Sequence, residues 1–235
     1  LSKDLFRLSI RNLTEGLDYE IYVYLWDELG KSMNHAEELP RVSKIKNGSH
    51  LIKEYFEGFN VKEIQSESFF KFQKSLTHEY KNIISDNRFH KGTVNSIYQV
   101  YCLSKCFDLV KNINDFDLIF KCRFDSLYVH PLDLYNLKKI KEKNKVFSIN
   151  FGRAFYPYRI YDIFFGGSLK SMSFLNGIWE QLPSLISDDF NNNLDKRDAC
   201  RIFYLAAKKN NIRVDSFDTR ICDVFRPVEK YNYEK

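Results

Sequence analysis

The chain has 235 residues, of which 44% are hydrophobic, 16% aromatic and 29% charged. This length suits one α/β domain with its own core, and the apolar content is too high for a disordered chain. No run approaches the roughly 18 apolar residues of a membrane span, and residues 1–12 lack the pattern of a secretory leader, so we predict neither feature.

The net charge is +5 and the isoelectric point is about 8.8. Such an excess favours phosphorylated small ligands, an anionic polymer or an anionic membrane surface as partners. The lysines and arginines are spread along the chain, and Glu142 interrupts the densest cluster, residues 138–145, as on a solvated helix face. We therefore expect no nucleic-acid partner, and peripheral membrane contact stays an alternative for this cluster.

The five cysteines are odd in number and form no CxxC pair. This pattern favours neither a disulfide framework nor a zinc site, so we expect small buried thiols in a reducing compartment. The expected location is the cytoplasm, with the inner face of a membrane as an alternative.

Hydrophobic spacing predicts the secondary structure in chain order. The first half begins with a helix at 5–13, a strand at 19–25, a long loop at 30–49, a helix at 51–56 and a strand at 61–64. After a polar segment come a helix at 93–111, a strand at 117–122, a helix at 131–141 and a strand at 146–150. The chain continues with a strand at 162–165, a turn at Gly166-Gly167 where a helix begins, a helix at 198–210 and a strand at 212–217.

This alternation predicts a mostly parallel central sheet with helices on both faces, in a single domain over residues 1–235. Chains of this class normally begin with a strand, whereas this one begins with a helix, which leaves open a first strand upstream of Leu1. Ligands of open α/β sheets bind where strands end, and two predicted strands end in carboxylates, Asp27 and Asp125.

Asp125 is a candidate ligand for a divalent cation that bridges two phosphates, because Mg²⁺ and Mn²⁺ prefer hard oxygen ligands. Arg123 lies two residues earlier, shares a strand face with Asp125 and can bind phosphate through two hydrogen bonds. The same spacing also fits a structural Arg–Asp pair at the end of a strand.

Residues 95–128, NSIYQVYCLSKCFDLVKNINDFDLIFKCRFDSLY, resemble the central motif of a family of bacterial and viral capsule and lipopolysaccharide glycosyltransferases. The flanking segments LDYEIYVYLWDE, YDIFFGGSLKSM and ACRIFYLAAKKNNIRV resemble further segments of that family in the same order. The resemblance implies a GT-A type fold, a UDP-, GDP- or dTDP-linked sugar donor, a glycan or lipid-linked acceptor, and a divalent metal, Mn²⁺ or Mg²⁺. Residues up to about 130 would bind the donor, and residues 131–235 would form the acceptor side.

The resemblance also implies roles for individual residues. Asp125 matches the acidic position of the family's DxD-like motif, although Arg123 stands where a full motif has its first carboxylate. The other matched positions, implied to approach the donor, are Trp26, Asp27, Asn95, Ser96 and Tyr98. Packing or capping is the alternative role for each of them.

An inverting sugar transferase needs a carboxylate that deprotonates the acceptor hydroxyl. Asp162 is the favoured candidate, because the predicted Gly166-Gly167 turn after it would let an acceptor approach the backbone. Asp198 is the second candidate, although an acidic residue at a helix start is also favoured electrostatically.

Two other classes of function remain as alternatives. A non-catalytic, transferase-like module that binds an anionic polymer would fit the basic charge and the missing DxD carboxylate. Nucleotidyl or phosphoryl transfer would share the metal and the phosphates, but the sequence lacks a GxxxxGK phosphate loop.

Overall fold

The structure is a computed structural model and describes residues 3–27, 48–85, 91–123, 126–132, 137–138, 140–141, 144–149, 159–190, 199–217 and 222–223. Its helices are α1 (Lys3–Thr14), α2 (Gly48–Tyr55), α3 (Phe69–Ser75), α4 (His78–Ser85), α5 (Lys91–Asp108), α6 (Leu169–Met172), α7 (Ile178–Phe190) and α8 (Ala199–Lys209). Its strands are β1 (Ile21–Trp26), β2 (Val61–Glu67), β3 (Leu118–Cys122), β4 (Leu127–Tyr128), β5 (Lys145–Ser148), β6 (Phe164–Ser168), β7 (Arg213–Ser216) and β8 (Cys222–Asp223).

The described strands form three sheets. β1 and β2 form a parallel pair, β4 and β8 an antiparallel pair, and the central sheet has the order β3-β6-β5-β7. In the central sheet β6 is antiparallel to both of its neighbours, whereas β5 and β7 are parallel. Strands β3, β5 and β7 therefore run in one direction and β6 runs against them.

The predicted α/β class is confirmed, but the mostly parallel sheet is not what the central four strands form. Parallel pairing is limited to β1 with β2 and β5 with β7. The sequence predicts no helix between β5 and β6, and a parallel connection normally requires a crossover of helix length. The missing helix between β5 and β6 therefore indicates that β6 is antiparallel to β5. The prediction of a mostly parallel sheet did not take this into account.

Helix α5 lies at the centre of the largest hydrophobic cluster. Its residues Ile97 and Val100 are fully buried, and α7 and α8 pack beside it against one face of the central sheet. The opposite face of that sheet carries a second cluster, which includes Phe147 and Phe164. Neighbouring residues along β5 and β6 alternate between the two clusters, as expected for a sheet covered on both sides.

Helix α1 forms a third cluster with β1 and α2. Its buried residues Phe6, Ile10 and Leu13 recur at intervals of four and three, which places them on one face of the helix. Phe6 and Ile10 pack with Val23 of β1 and Phe56 after α2. The predicted amphipathic first helix is confirmed.

Two helices, α3 and α4, occupy the segment that the sequence analysis describes only as polar. Ser68 caps α3, since its hydroxyl oxygen accepts a hydrogen bond from the Lys71 backbone N–H at 3.4 Å. Both helices are short and mostly exposed, with Phe72 the one buried residue of α3 and none buried in α4. Such helices offer little hydrophobic periodicity for a sequence pattern to detect.

The predicted Gly166-Gly167 turn is wrong, because both glycines lie inside strand β6 and are buried. A Cβ atom on Gly166 would overlap the Phe120 ring and lie 2.6 Å from the Ile119 carbonyl oxygen. A Cβ atom on Gly167 would lie 2.7 Å from the Lys145 carbonyl oxygen. The two glycines thus allow the neighbouring strands to pack closely against β6, and they do not form an opening for a ligand. The next helix, α6, begins after Ser168.

Among the described helices, none combines the length and the apolar character needed to cross a bilayer.

Candidate functional site

The candidate site lies at the edge of the central sheet where β3, β5 and β7 end and β6 begins. Arg123 follows the last residue of β3, and its backbone N–H donates a hydrogen bond at 3.1 Å to the carbonyl oxygen of Ile163, which precedes β6. Carboxyl ends of parallel strands are the usual ligand-binding edge of an α/β sheet. The residues around Arg123 therefore occupy the edge at which the sequence predicts chemistry.

An ion pair joins two of the predicted site residues, Arg123 and Asp162. The guanidinium Nη1 of Arg123 lies 2.8 Å from Asp162 Oδ2, and the two side chains are 32% and 16% exposed. The predicted alternative of an Arg123–Asp125 pair involves a residue outside the described ranges, and the described partner, Asp162, comes from 39 residues along the chain. Asp162 is the more enclosed member, so the guanidinium is the group nearer to solvent.

The start of α8 completes this site through Cys200. The backbone N–H of Asp162 donates to Cys200 Sγ at 3.4 Å, and the Cys200 thiol lies 3.6 Å from Asp162 Oδ1. The Ile160 backbone N–H donates to the Cys200 carbonyl oxygen at 3.0 Å. Three segments that are far apart in sequence, at residues 123, 160–162 and 200, therefore meet at one place.

Tyr128 binds the backbone at the end of β3 through its hydroxyl group. Its side chain is fully buried, and its hydroxyl oxygen accepts a hydrogen bond from the Arg123 backbone N–H at 2.9 Å. The same hydroxyl donates to the Arg123 carbonyl oxygen at 3.1 Å. A bidentate contact of this kind fixes the direction in which the Arg123 side chain leaves the strand. Tyr128 has no role among the sequence predictions, although it lies within the quoted motif.

Lys121 places a second cation on the Arg123 face of β3. It is half-buried, it pairs in register with Phe165, and its ammonium lies 6.0 Å from the centre of the Phe165 ring. Burial lowers the pKa of Lys121 to about 8, against the attraction of Asp162, while Arg123 lowers it further. Among the described residues, two cations thus lie near the Asp162 carboxylate, and this arrangement of positive charge suits an anionic ligand. Lys121 could have been predicted from the sequence, because residues two apart on a strand lie on the same face and Lys121 precedes Arg123 by two.

Trp26 and Tyr98, two predicted donor-binding residues, belong to an aromatic cluster around α3 and α5. Trp26 is half-buried and stacks on Tyr101 with ring centres 5.6 Å apart. Tyr98 is buried, its ring meets Phe69 edge to face at 4.8 Å, and its hydroxyl accepts a hydrogen bond from Gln73 Nε2 at 3.2 Å. Tyr98 is therefore a core residue in this structure, and Trp26 has only part of its ring exposed.

Asp27 extends the parallel β1–β2 pair. Its backbone N–H donates to the Glu67 carbonyl oxygen at 2.9 Å, and its side chain is half-buried. The Glu67 carboxylate accepts hydrogen bonds from the hydroxyls of Tyr24 at 2.5 Å and Tyr101 at 2.7 Å. Asn95 and Ser96 lie in helix α5, and their side chains are outside the described part of the structure.

Asp125 and Asp198, the predicted metal ligand and the second base candidate, lie outside the described residues. Within the described ranges, no group of three or more His, Cys, Asp or Glu side chains is placed to hold a metal ion. The one carboxylate described at the site, that of Asp162, is engaged by Arg123. The described residues alone therefore do not fit a divalent-cation site, and they offer positive charge instead.

Comparison of the chain with profiles of protein families, with proteins of curated function and with solved structures finds no match.

Proposed function

We propose that the chain is a glycosyltransferase that moves a sugar from a nucleotide-sugar donor to a hydroxyl of a glycan or lipid-linked acceptor. Three of the four segments that carry the resemblance contain the short sequences RFD, YDIFF and ACRIF. The observation that carries the proposal is the meeting of these segments through Arg123, Asp162 and Cys200 at the ligand-binding edge of the sheet.

In the proposed reaction the site acts mainly through charge. The bond between the anomeric carbon and the donor phosphate breaks while a bond to the acceptor oxygen forms, and negative charge develops on the departing diphosphate. The Arg123 guanidinium and the Lys121 ammonium stabilise that charge. In this proposal Asp162 orients the Arg123 side chain. This role takes the place of the base role that the sequence predicts for Asp162.

Asp198 then becomes the preferred candidate for the base that removes the acceptor proton. It precedes Cys200 by two residues, and Cys200 contacts Asp162. The divalent cation at Asp125 stays a prediction of the resemblance, and no step is assigned to it here. Trp26 and Asp27 stay candidates for contact with the nucleotide.

Donor binding can be tested by thermal unfolding of the whole chain with UDP-, GDP-, dTDP- and CMP-sugars, each with and without Mn²⁺. A ligand at 100 times its dissociation constant stabilises the folded state by about 2.7 kcal/mol, so a matching donor raises the melting temperature by several degrees. We expect Arg123→Ala to abolish this shift and Arg123→Lys to reduce it, because lysine lacks the planar fork.

Lys145→Ala is the matched control. It breaks the Lys145–Asp215 ion pair, which has the same 2.8 Å length but lies at the opposite edge of the central sheet. We expect it to keep the full donor shift. Absence of a shift with every donor, or equal loss in Arg123→Ala and Lys145→Ala, would contradict the proposed function.

A further inference from the structure

A second feature lies at the opposite edge of the central sheet, where β5 and β7 begin. Lys145 and Arg213, the first residues of these strands, are paired in register. Beside them is an open depression of about 380 Å³ lined by Lys145, Tyr204, Lys208, Ile212, Arg213, Val214 and Asp215. The strands separate this depression from Arg123, so it is not part of the site described above.

The lining of the depression is electropositive. Its described residues include three cations and one carboxylate, and the carboxylate of Asp215 lies 2.8 Å from Lys145 Nζ. Lys208 and Arg213 are both exposed. Nearby lysines point elsewhere, since Lys209 donates to Ser184 and Lys141 pairs with Asp117.

The depression also has a partly apolar wall. Tyr204 and Lys208 are four residues apart on α8 and therefore share a helix face. Tyr204 is half-buried, with the guanidinium of the buried Arg201 5.4 Å from its ring centre, and Ile212 and Val214 complete the wall. Ring and aliphatic surface beside cations matches a sugar ring that carries an acidic group.

We propose that this depression binds one or two acidic sugar residues of an anionic glycan. Its volume falls at the lower end of ligand sites, which suits a compact unit rather than an extended nucleic-acid strand. The large hydrophobic side chains that are exposed in the described residues, Leu5, Leu8 and Phe70, lie on α1 and α3. In the described part of the chain, the depression therefore has no exposed large apolar side chain of the kind with which a peripheral protein enters a membrane.

This binding is independent of sugar transfer, because it uses no residue of the Arg123 site. The test is the anisotropy of fluorescent hexagalacturonate titrated with the full chain at low salt, with neutral maltohexaose of the same length as the reference probe. We expect the acidic hexamer to bind, the neutral one to bind at least about tenfold more weakly, and affinity to fall with salt.

The deciding variant is Lys208→Glu with Arg213→Glu, and the matched control is Lys74→Glu with Lys81→Glu, exposed lysines of α3 and α4. Both changes lower the net charge by the same amount. We expect the first to weaken hexagalacturonate binding about tenfold or more and the second to change it less than about twofold. If the first variant misfolds by circular dichroism, Lys208→Gln with Arg213→Gln takes its place.

Three outcomes would overturn the proposal. One is the absence of hexagalacturonate binding, and another is an equal loss of affinity in both charge-reversed variants, which would indicate attraction by net charge alone. The third is tighter binding of a single-stranded oligonucleotide or of anionic phosphatidylserine vesicles that depends on the same two residues.

Discussion

At the level of one residue, Lys121 lowers the stability of the fold but gives the site a positive charge. Its ammonium is half-buried beside Phe165, and burial is the main cause of its lowered pKa of about 8. An unfolded lysine has a pKa of about 10.4, so the folded chain holds this proton less tightly than the unfolded chain. A partly buried lysine with a lowered pKa is typical of a functional site, and here it suits a site that binds an anion.

We predict that Lys121→Met stabilises the fold at neutral pH by about 1 kcal/mol, because it removes a partly desolvated charge. Between pH 8 and pH 10 the unfolded wild-type chain binds a proton that the folded chain has lost. The free energy of unfolding of the wild type therefore rises with pH in this window, and the variant lacks this rise. Urea unfolding at intervals from pH 6 to pH 10 measures both effects.

Lys170→Met serves as the control, because Lys170 is exposed on α6. Its unfolding free energy should follow the wild-type curve across the whole range. Parallel curves for Lys121→Met and the wild type would show that Lys121 is well solvated in the folded chain.

Helix α7 shows how a neighbouring element completes a helix that its own sequence interrupts. Pro183 lies inside α7 and has no N–H to donate to the Trp179 carbonyl four residues earlier. The hydroxyl of Tyr80, on α4, donates to this carbonyl at 2.9 Å, and the Tyr80 and Trp179 rings stack 4.4 Å apart. Tyr80 therefore supplies the partner that the proline removes, and it joins α4 to α7.

We predict that Tyr80→Phe destabilises the chain by about 1–2 kcal/mol, because it leaves the Trp179 carbonyl without this partner while the ring stack remains. In a Pro183→Ala background an N–H is restored inside α7, and the same substitution should cost less. A double-mutant cycle of unfolding free energies measures this difference. Equal costs in the two backgrounds would mean that the hydroxyl and the proline are not coupled.

At the scale of the whole molecule, hydrogen bonds to Glu67 join helix α5 to the β1–β2 pair. Tyr24 of β1 and Tyr101 of α5 both donate to the Glu67 carboxylate of β2. Burial, followed by the hydrogen bond to Glu67, raises the pKa of Tyr101 to about 12, and the same two causes raise the pKa of Tyr24. Ionisation of these hydroxyls would place charge beside a carboxylate within the packed region.

We predict a cooperative alkaline unfolding between pH 10 and pH 12. Because the folded pKa values lie above the unfolded value of about 10, their contribution to stability is complete below pH 10 and is lost as the pH rises through about 12. Tyrosinate absorbance and far-ultraviolet circular dichroism should therefore change together in the final step. A gradual tyrosine titration with unchanged circular dichroism up to pH 12 would contradict this.

The sequence predicted the parts of the fold that depend on local periodicity. Amphipathic spacing located α1 and the apolar run 117–122 located β3, because burial of one face or of a whole strand leaves a pattern in neighbouring residues. It also marked Arg123 and Asp162 as polar residues beside strands. The short exposed helices α3 and α4 were not predicted, because they bury too few side chains to produce such a pattern.

By itself, then, the sequence determined the α/β class, the first helix and the strand end at Arg123. Only the tertiary structure decided that β6 runs against its neighbours, that Gly166 and Gly167 lie between strands, and that Arg123 pairs with Asp162. The physical reason is range. Periodicity and turn propensity act within a few residues, whereas strand direction, close packing and ion pairing depend on which distant segments meet.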